Sequence, residues 1–459
     1  MTYDIVTQPW LYVINKNSQC SRLGFYDALE QGKHLNLAYP NPIDRISVFR
    51  FILAALYWCE METQVKMDKA KIPQAWLKFL LESRHLFEFL GEGKRFLQVP
   101  GLSRRRPITE LFHEVPLGNN FWHFKHVRDY TMGCCTHCAV TGTMRLPLFC
   151  VSGRPDMKSG INGSPPIFAI KWGKSLWETI ILNWRPREPL GQPVWAEPYR
   201  YNPDDDVPLL SGMTVPARLL YVEAAIPTEQ ACGICGEAPG SLHYTCKFET
   251  AGTLENPTWQ DPFALRNKDE VIKASDISGT KKLRFDAKIH RLLPHVLNSM
   301  DLNGGENVLL VGFASDKAKF VDIWEKSIRI PDIDLANLEL TALEEWNHSI
   351  NSCAANTYLG KIKTKGKDRL RVLKDAVSND LLPDAETKAG RYIPQILGDD
   401  SVWDQVSNQY SVWVNNSARV LTAGLDTRHL RDRKDIERFM PKPRLDNKED
   451  ADKGSKTDE

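Results

Sequence analysis

The chain has almost no net charge: 59 Lys and Arg against 58 Asp and Glu leave +1 over 459 residues. It therefore lacks the strong basic excess of a free-standing DNA binder. Local basic patches remain open to it, as does a place as one subunit of a larger nucleic-acid assembly. Long hydrophobic runs are missing too. The longest uncharged apolar run, Phe51 to Cys59, is far too short to span a bilayer, which argues against any membrane role. The N-terminal "MTYDIVTQPW" has no basic stretch followed by an apolar core, so no signal peptide is expected. No internal repeat occurs. No Walker loop, nucleophile–base constellation or carboxylate–histidine metal cluster is present either, so the expectation is a protein without catalytic activity of its own.

What is there is the composition of a folded chain, 42% hydrophobic and 25% charged, long enough for two or three domains. "PWLYVI" reads as a short strand. "NPIDRISVFRFILAALYW" reads as a helix: Asn41 can cap it, Pro42 suits its first turn, and Ile46, Phe49, Leu53 and Leu56 recur on one face. A second helix is predicted from Pro73 to Leu90, ending at Gly91 in the left-handed C-terminal conformation. Residues 100–165 read mostly as loop. Strand candidates follow in "IFAIKW", "RLLYVEAAI", "LHYTCKFET" and "NVLLVGFA", with a helix near Leu176–Trp184. The expected class is α+β: a large mixed domain over 1–330, an antiparallel helical bundle within 331–430, and a disordered polar tail over 431–459.

Ten cysteines stand in this chain, and without a secretory signal paired cysteines read as metal ligands or redox thiols rather than disulfides. "GCCTHCAVTG" and "QACGICGEAP" each hold a CxxC, Cys135 with Cys138 and Cys232 with Cys235. Two such knuckles complete a tetrahedron of sulfur around Zn²⁺. That closed shell has no site for water and makes the metal structural, a clamp between two distant segments. A thioredoxin-like reading is disfavoured because neither pair is predicted at the end of a strand leading into a helix. A zinc deaminase would need a His-x-Glu before its CxxC. Cys134 or His137 can each substitute as a ligand at the first knuckle. The remaining cysteines read as small buried hydrophobes.

Around these knuckles the sequence resembles a known family. "FWHFKHVRDYTMGCCTHC" through "FCVSGRPDMKSGINGSPPIFAI", then "QPVWAEPYR", "ACGICG" followed by "LHYT", and "NVLLVGFASDKAKF" run in an order similar to CasA. CasA is the large subunit of the type I-E CRISPR surveillance complex, Cascade. The likeness covers most of residues 8–330. It implies a non-catalytic, cytoplasmic prokaryotic protein at the foot of a crRNA-bearing complex. Such a subunit recognises the short motif flanking a target (the PAM) in double-stranded DNA, starts unwinding and R-loop formation, and helps recruit a helicase-nuclease. Its implied partners are crRNA, target DNA and the backbone, small and crRNA-end subunits.

The resemblance also assigns residues. Phe124, Lys125 and His126 match a loop touching the guide's 5′ end and the flanking motif, where an aromatic stacks on a base and the cations meet phosphate. The bland alternative is a core phenylalanine with solvated neighbours. Arg154 stands beside Gly153 where the family tends to place several glycines, and it can enter a narrow minor groove in place of bare backbone; its plain reading is a surface-loop arginine without a partner. Lys158 opens the Lys-Ser-Gly that follows. Lys247 matches a lysine reaching the minor groove; its plain reading is a solvated strand residue. Asp316 and Lys317 stand where the family often carries Asn-Gln at a wedge beside the first base pair. The plain reading there is a charged helix start capped by Ser315 or Asp316. "KIKTKGKDRLRVLK" and "SRRRP" are further basic clusters for nucleic-acid backbone or a neighbouring subunit, with a solvated helix face as the plain reading of the first. A zinc-dependent hydrolase or nuclease, and a purely structural ribonucleoprotein scaffold, remain as alternative functions.

Overall fold

The computed structural model describes residues 2–330 apart from 116–131, 151–157, 201–205, 274–294 and positions 253, 257–258, 268–269, 298 and 317–318. The expected bundle (331–430) and polar tail (431–459) lie outside the described residues. The chain divides into two compact units, one made of Met1–Ala287 with Asn307–Ile328, the other of Lys288–Glu306 with Arg329–Glu459.

The first unit is organised around one helix, Pro42–Thr63, which begins and ends where local chemistry dictates. The Asn41 side chain accepts from the Ile43 N–H at 2.9 Å, Pro42 occupies the first turn, and Gln64 leaves in the left-handed region at φ 56°. The helix does not present a single apolar face as its periodicity suggested. Residues on every side of it are buried, from Ile43 through Glu60, because the shorter helices Gln74–Glu82, Thr136–Met144 and Leu209–Thr214 all pack against it. Phe51 sits among Trp10, Phe25, Phe87, Phe96 and Trp195, with ring centroids 5.2 to 6.3 Å away. Burying one such ring is worth roughly 1.5–3 kcal/mol. Arg50 and Arg145 are sunk into this core and both are paired: Arg50 with Asp261, and Arg145 with Asp44 and Glu114. An unpaired charge at either depth would cost several kcal/mol, on the order of 3–5.

Three three-stranded sheets belong to the described residues. Leu11–Asn15 pairs on its two sides with Cys20–Leu23 and Leu35–Leu37. Thr245–Thr250 lies between Arg105–Pro107 and Arg218–Val222. Asn307–Asp316 lies between Phe168–Lys171 and Lys319–Arg329. The mixed α+β class holds for the described residues.

Three local expectations change. The second helix stops at Glu82, continues as one 3₁₀ turn over Arg84–Phe87, and gives way to a strand at Glu88–Leu90. Tyr3 and Asp4 pair with that strand, so a partner distant in sequence overrides the helical periodicity. Gly91 is accordingly not in the left-handed region. The stretch 100–165 is not all loop, for it holds the helix Thr136–Met144. Asp316 closes a ten-residue strand and Lys319 opens the next, so the helix start expected there is a strand end.

Candidate metal centre and nucleic-acid face

Both cysteine knuckles are shaped by backbone before any side chain acts. Cys134 and His243 form an isolated antiparallel bridge, each N–H donating to the other's carbonyl at 2.9 and 2.8 Å. The chain then turns at Cys135, which is extended (φ −71°, ψ 164°) and N-caps the helix Thr136–Met144, placing Cys138 one turn on. At the second knuckle the Gly236 N–H donates to the Cys232 carbonyl at 2.8 Å, and Gly236 takes φ +79°, a value only glycine adopts without strain. The Gly233 N–H donates to the Gly133 carbonyl at 3.0 Å and sews one knuckle to the other.

The four sulfurs converge. Sγ of Cys135 lies 3.8 Å from Sγ of Cys235, Sγ of Cys138 lies 3.8 Å from Sγ of Cys232, and all four fall within 4.8 Å of one another. A tetrahedral ion with metal–sulfur bonds of about 2.3 Å sets its sulfurs about 3.8 Å apart, so the donor set fits such an ion in number, chemistry and spacing. Cys135, Cys138 and Cys232 are buried and Cys235 faces solvent. Hydrogen bonds with its three neighbours push the Cys138 thiol far up. Sulfur–sulfur hydrogen bonding with Cys138 holds Cys235 down at about 7, and that with Cys135 and Cys138 holds Cys232 lower still. The Cys135 and Ile234 N–H groups also point at the Cys232 sulfur, at 3.3 and 3.5 Å.

Neither alternative ligand joins the cluster. Cys134 is fully buried in its bridge, outside the four-sulfur group. His137 turns its ring toward Tyr3, centroids 6.4 Å apart, and burial lowers its pKa. The ground on which a redox reading was set aside does not stand, because Cys135 does occupy a helix N-terminus directly after a β-bridge. The second pair at van der Waals distance distinguishes this site from a thioredoxin-like one. Of the other cysteines, Cys20 is exposed rather than buried; it lies on an edge strand.

One residue at the centre carries no signal in the sequence. His243 is wholly buried, its Nδ1 donating to the Glu223 carbonyl at 2.8 Å while Nε2 accepts from the Thr136 hydroxyl at 3.1 Å. A carbonyl only accepts, so Nδ1 carries a proton, and burial lowers the ring's pKa. His243 ties the first knuckle to the sheet beyond the second. A lone histidine in "LHYT" announces no such role.

The expected nucleic-acid residues divide sharply. Phe124, Lys125, His126, Arg154 and Lys317 lie outside the described residues. Lys247 is half-buried on the middle strand of its sheet, and its neighbours Cys246 and Phe248 turn into the core. Arg105, from "SRRRP", stands opposite it on one side and Tyr221 on the other. Arg95 lays its guanidinium over the Tyr221 ring at 4.5 Å. A single cross-strand row thus gathers Arg105, Lys247 and Tyr221, with Arg95 stacked on its end. Arg105 is also paired with Glu223 at 2.8 Å, which tempers the charge there. Lys158 is exposed, and its carbonyl accepts from Arg218 Nη1 at 2.7 Å, so it sits at the far end of the strand that carries Tyr221. Asp316 ends its strand three residues before Lys319. Gly312 makes that strand pair possible: a Cβ there would lie 2.0 Å from Trp324 of the neighbouring strand.

The sequence pattern of CRISPR-associated protein Cse1 matches residues 4–277. The chain belongs to the Cse1 family. Solved structures with the same fold include CasA (Cse1) of Thermus thermophilus, 17% identical with a TM-score of 0.66, covering 96% of this chain and 100% of that one. Thermobifida fusca Cse1 matches at 15% identity and a TM-score of 0.63, over 96% of this chain and 98% of its own. A chain of a structure described as a CRISPR RNA-guided surveillance complex matches at 14% and 0.60, over 96% and 99%. No curated protein matches. The Thermus structure carries both names, CasA and Cse1, so the family read from the motifs is the family found. No helix among the described residues is long and apolar enough to cross a membrane.

Proposed function

We propose that this Cse1-family chain is the non-catalytic large subunit of a Cascade-like, crRNA-guided complex. In this reading it recognises the PAM of double-stranded DNA, begins duplex unwinding and R-loop formation, and helps recruit a helicase-nuclease effector in antiviral defence. Its partners are crRNA, target DNA, and the backbone, small and crRNA-end subunits. Membership of the family over residues 4–277, a stretch that includes both knuckles and Lys247, carries the proposal. The division of labour follows: guide pairing reads the long sequence while protein contacts read the short motif. Because exchange of duplex for heteroduplex is nearly balanced, a few contacts suffice to tip it, as in other RNA-guided effectors.

In this account Zn²⁺ would be held by Cys135, Cys138, Cys232 and Cys235. Bound there it supplies a covalent tie between segments about a hundred residues apart, and four sulfurs leave it no open position for a water nucleophile. That closed shell is what disfavours the hydrolase alternative. Lys247 and its row would meet the minor groove or phosphate, Lys158 and Arg154 the flanking motif, and Phe124, Lys125 and His126 the guide end. Asp316 and Lys317 would supply the wedge. An unstacked step costs a few kcal/mol, and a rigid strand pair can offset that cost.

The test is reconstitution with crRNA and the remaining Cascade subunits. Duplexes with and without the flanking motif are compared for binding, and a fluorescent base analogue in the first target pair reports opening. Motif-dependent binding and opening that both need this chain are expected. Binding that ignores the motif, and that survives charge reversal at Arg154, Lys247 and Lys317 together, would establish the scaffold reading instead.

A further inference from the structure

The metal reading leaves an electrostatic problem that backbone alone does not solve. Four thiolates around a divalent ion leave two negative charges. Cys232 has its Sγ faced by the Cys135 and Ile234 amides, at 3.3 and 3.5 Å. Cys235 is the solvent-facing member of the four, 3.8 Å from the Cys135 sulfur. The nearby cation comes from far away in sequence: Arg22, on the strand Cys20–Leu23. Its guanidinium is ion-paired with Glu237, two residues after Cys235, and lies 5.5 Å from the centroid of the Tyr12 ring. The Glu237 carbonyl in turn accepts from the Cys232 N–H at 2.6 Å, so that residue is part of the knuckle itself. The Arg22 side chain is only 18% exposed although its strand lies at a sheet edge. Its ion pair with Glu237 seats it at the turn that carries Cys232 and Cys235.

We propose that Arg22 is the counter-cation of the metal centre, held by Glu237 and Tyr12 so that its charge offsets the outer pair of sulfurs. The N-terminal hairpin is then a third strap on the centre, beside the two knuckles. Arg22 does not ligate the ion; it positions and screens, the part an outer-shell partner plays at a metal site. The proposal rests on reading the four thiolates as a metal centre, and the experiment separates the two.

The purified full chain is stripped of metal and titrated with Zn²⁺ against a chromogenic chelator. Arg22→Gln is expected to weaken zinc about tenfold, the low end for outer-shell partners, while Arg22→Lys keeps most of the affinity. Circular dichroism of the metal-free proteins checks that each variant is folded. The exchange R22E/E237R restores an ion pair but turns its negative end toward the sulfurs, so its affinity is expected to stay low. Zinc affinity in Arg22→Gln within twofold of wild type would overturn the inference. So would full recovery in the exchange, since the pair would then be a tether and nothing more. A wild-type chain that binds no zinc would overturn the metal reading, and this inference with it.

Discussion

Arg145 joins the knuckle helix to the rest of the core, and removing it has a calculable consequence. It follows the helix Thr136–Met144 directly, at the C-terminal end where a cation is favoured. Its side chain is fully buried. Nε donates to Asp44 at 2.5 Å, Nη1 and Nη2 donate to Glu114 at 2.7 and 2.9 Å, and the guanidinium carbon lies 5.0 Å from the Phe112 ring centroid. Replacing Arg145 with Met keeps most of the volume and strands two carboxylates. Breaking a buried network by removing one member costs about 3–5 kcal/mol. The pH dependence has a definite sign. Burial raises the Asp44 pKa even with the arginine present, whereas Glu114, despite its own burial, is held below its ordinary value by hydrogen bonds from Arg145. Without the cation both carboxyls rise in the folded state. That state then binds more protons than the unfolded one, so the variant gains stability as pH falls from 7 toward 5. In the wild type the Glu114 contribution runs the other way: it is present above the ordinary carboxylate pKa and lost as pH falls through the lowered one. Urea unfolding followed by tryptophan fluorescence at pH 7 and pH 5 measures both. A cost below about 1 kcal/mol at pH 7, or a deficit that widens on acidification, would refute the reasoning.

Three further outcomes are expected. Asn41→Ala removes the cap of the central helix and the 2.7 Å bond from Asn41 Nδ2 to Glu114, and should cost at least about 1 kcal/mol in the same unfolding assay. Gly312→Ala forces a methyl onto the Trp324 indole and should cost about 1–3 kcal/mol, with a change in tryptophan fluorescence. Lys247→Glu should weaken target binding by the reconstituted complex about tenfold at low salt and lessen the salt dependence of that binding, while leaving the melting temperature unchanged.

Much of this architecture was legible because its signals are local. Asn41-Pro42 announces the central helix, and alternating apolar residues announce the strands at Leu11, Arg218 and Thr245. The paired CxxC spacing announced the sulfur cluster, since two residues between thiols is a geometric requirement of the knuckle. What was not legible depends on partners distant in the chain. The central helix read as one-faced because periodicity counts apolar positions and does not reveal that three helices will cover the remainder. Glu88–Leu90 became a strand only because Tyr3–Asp4 lies beside it. The bridge between Cys134 and His243 could not be foreseen, and with it the helix N-terminus at Cys135 went unread. Asp316 and its neighbours resembled a capped helix start by composition alone. Arg22 and His243, ordinary residues in ordinary contexts, gain their meaning from a fold that brings them to the sulfurs.

The most direct measurement is metal content together with X-ray absorption at the metal edge on the purified chain. One zinc per chain, surrounded by four sulfurs at about 2.3 Å, is the expected result. A chain without metal, or a shell in which nitrogen or oxygen replaces sulfur, would contradict the claim that Cys135, Cys138, Cys232 and Cys235 clamp the two segments into one face.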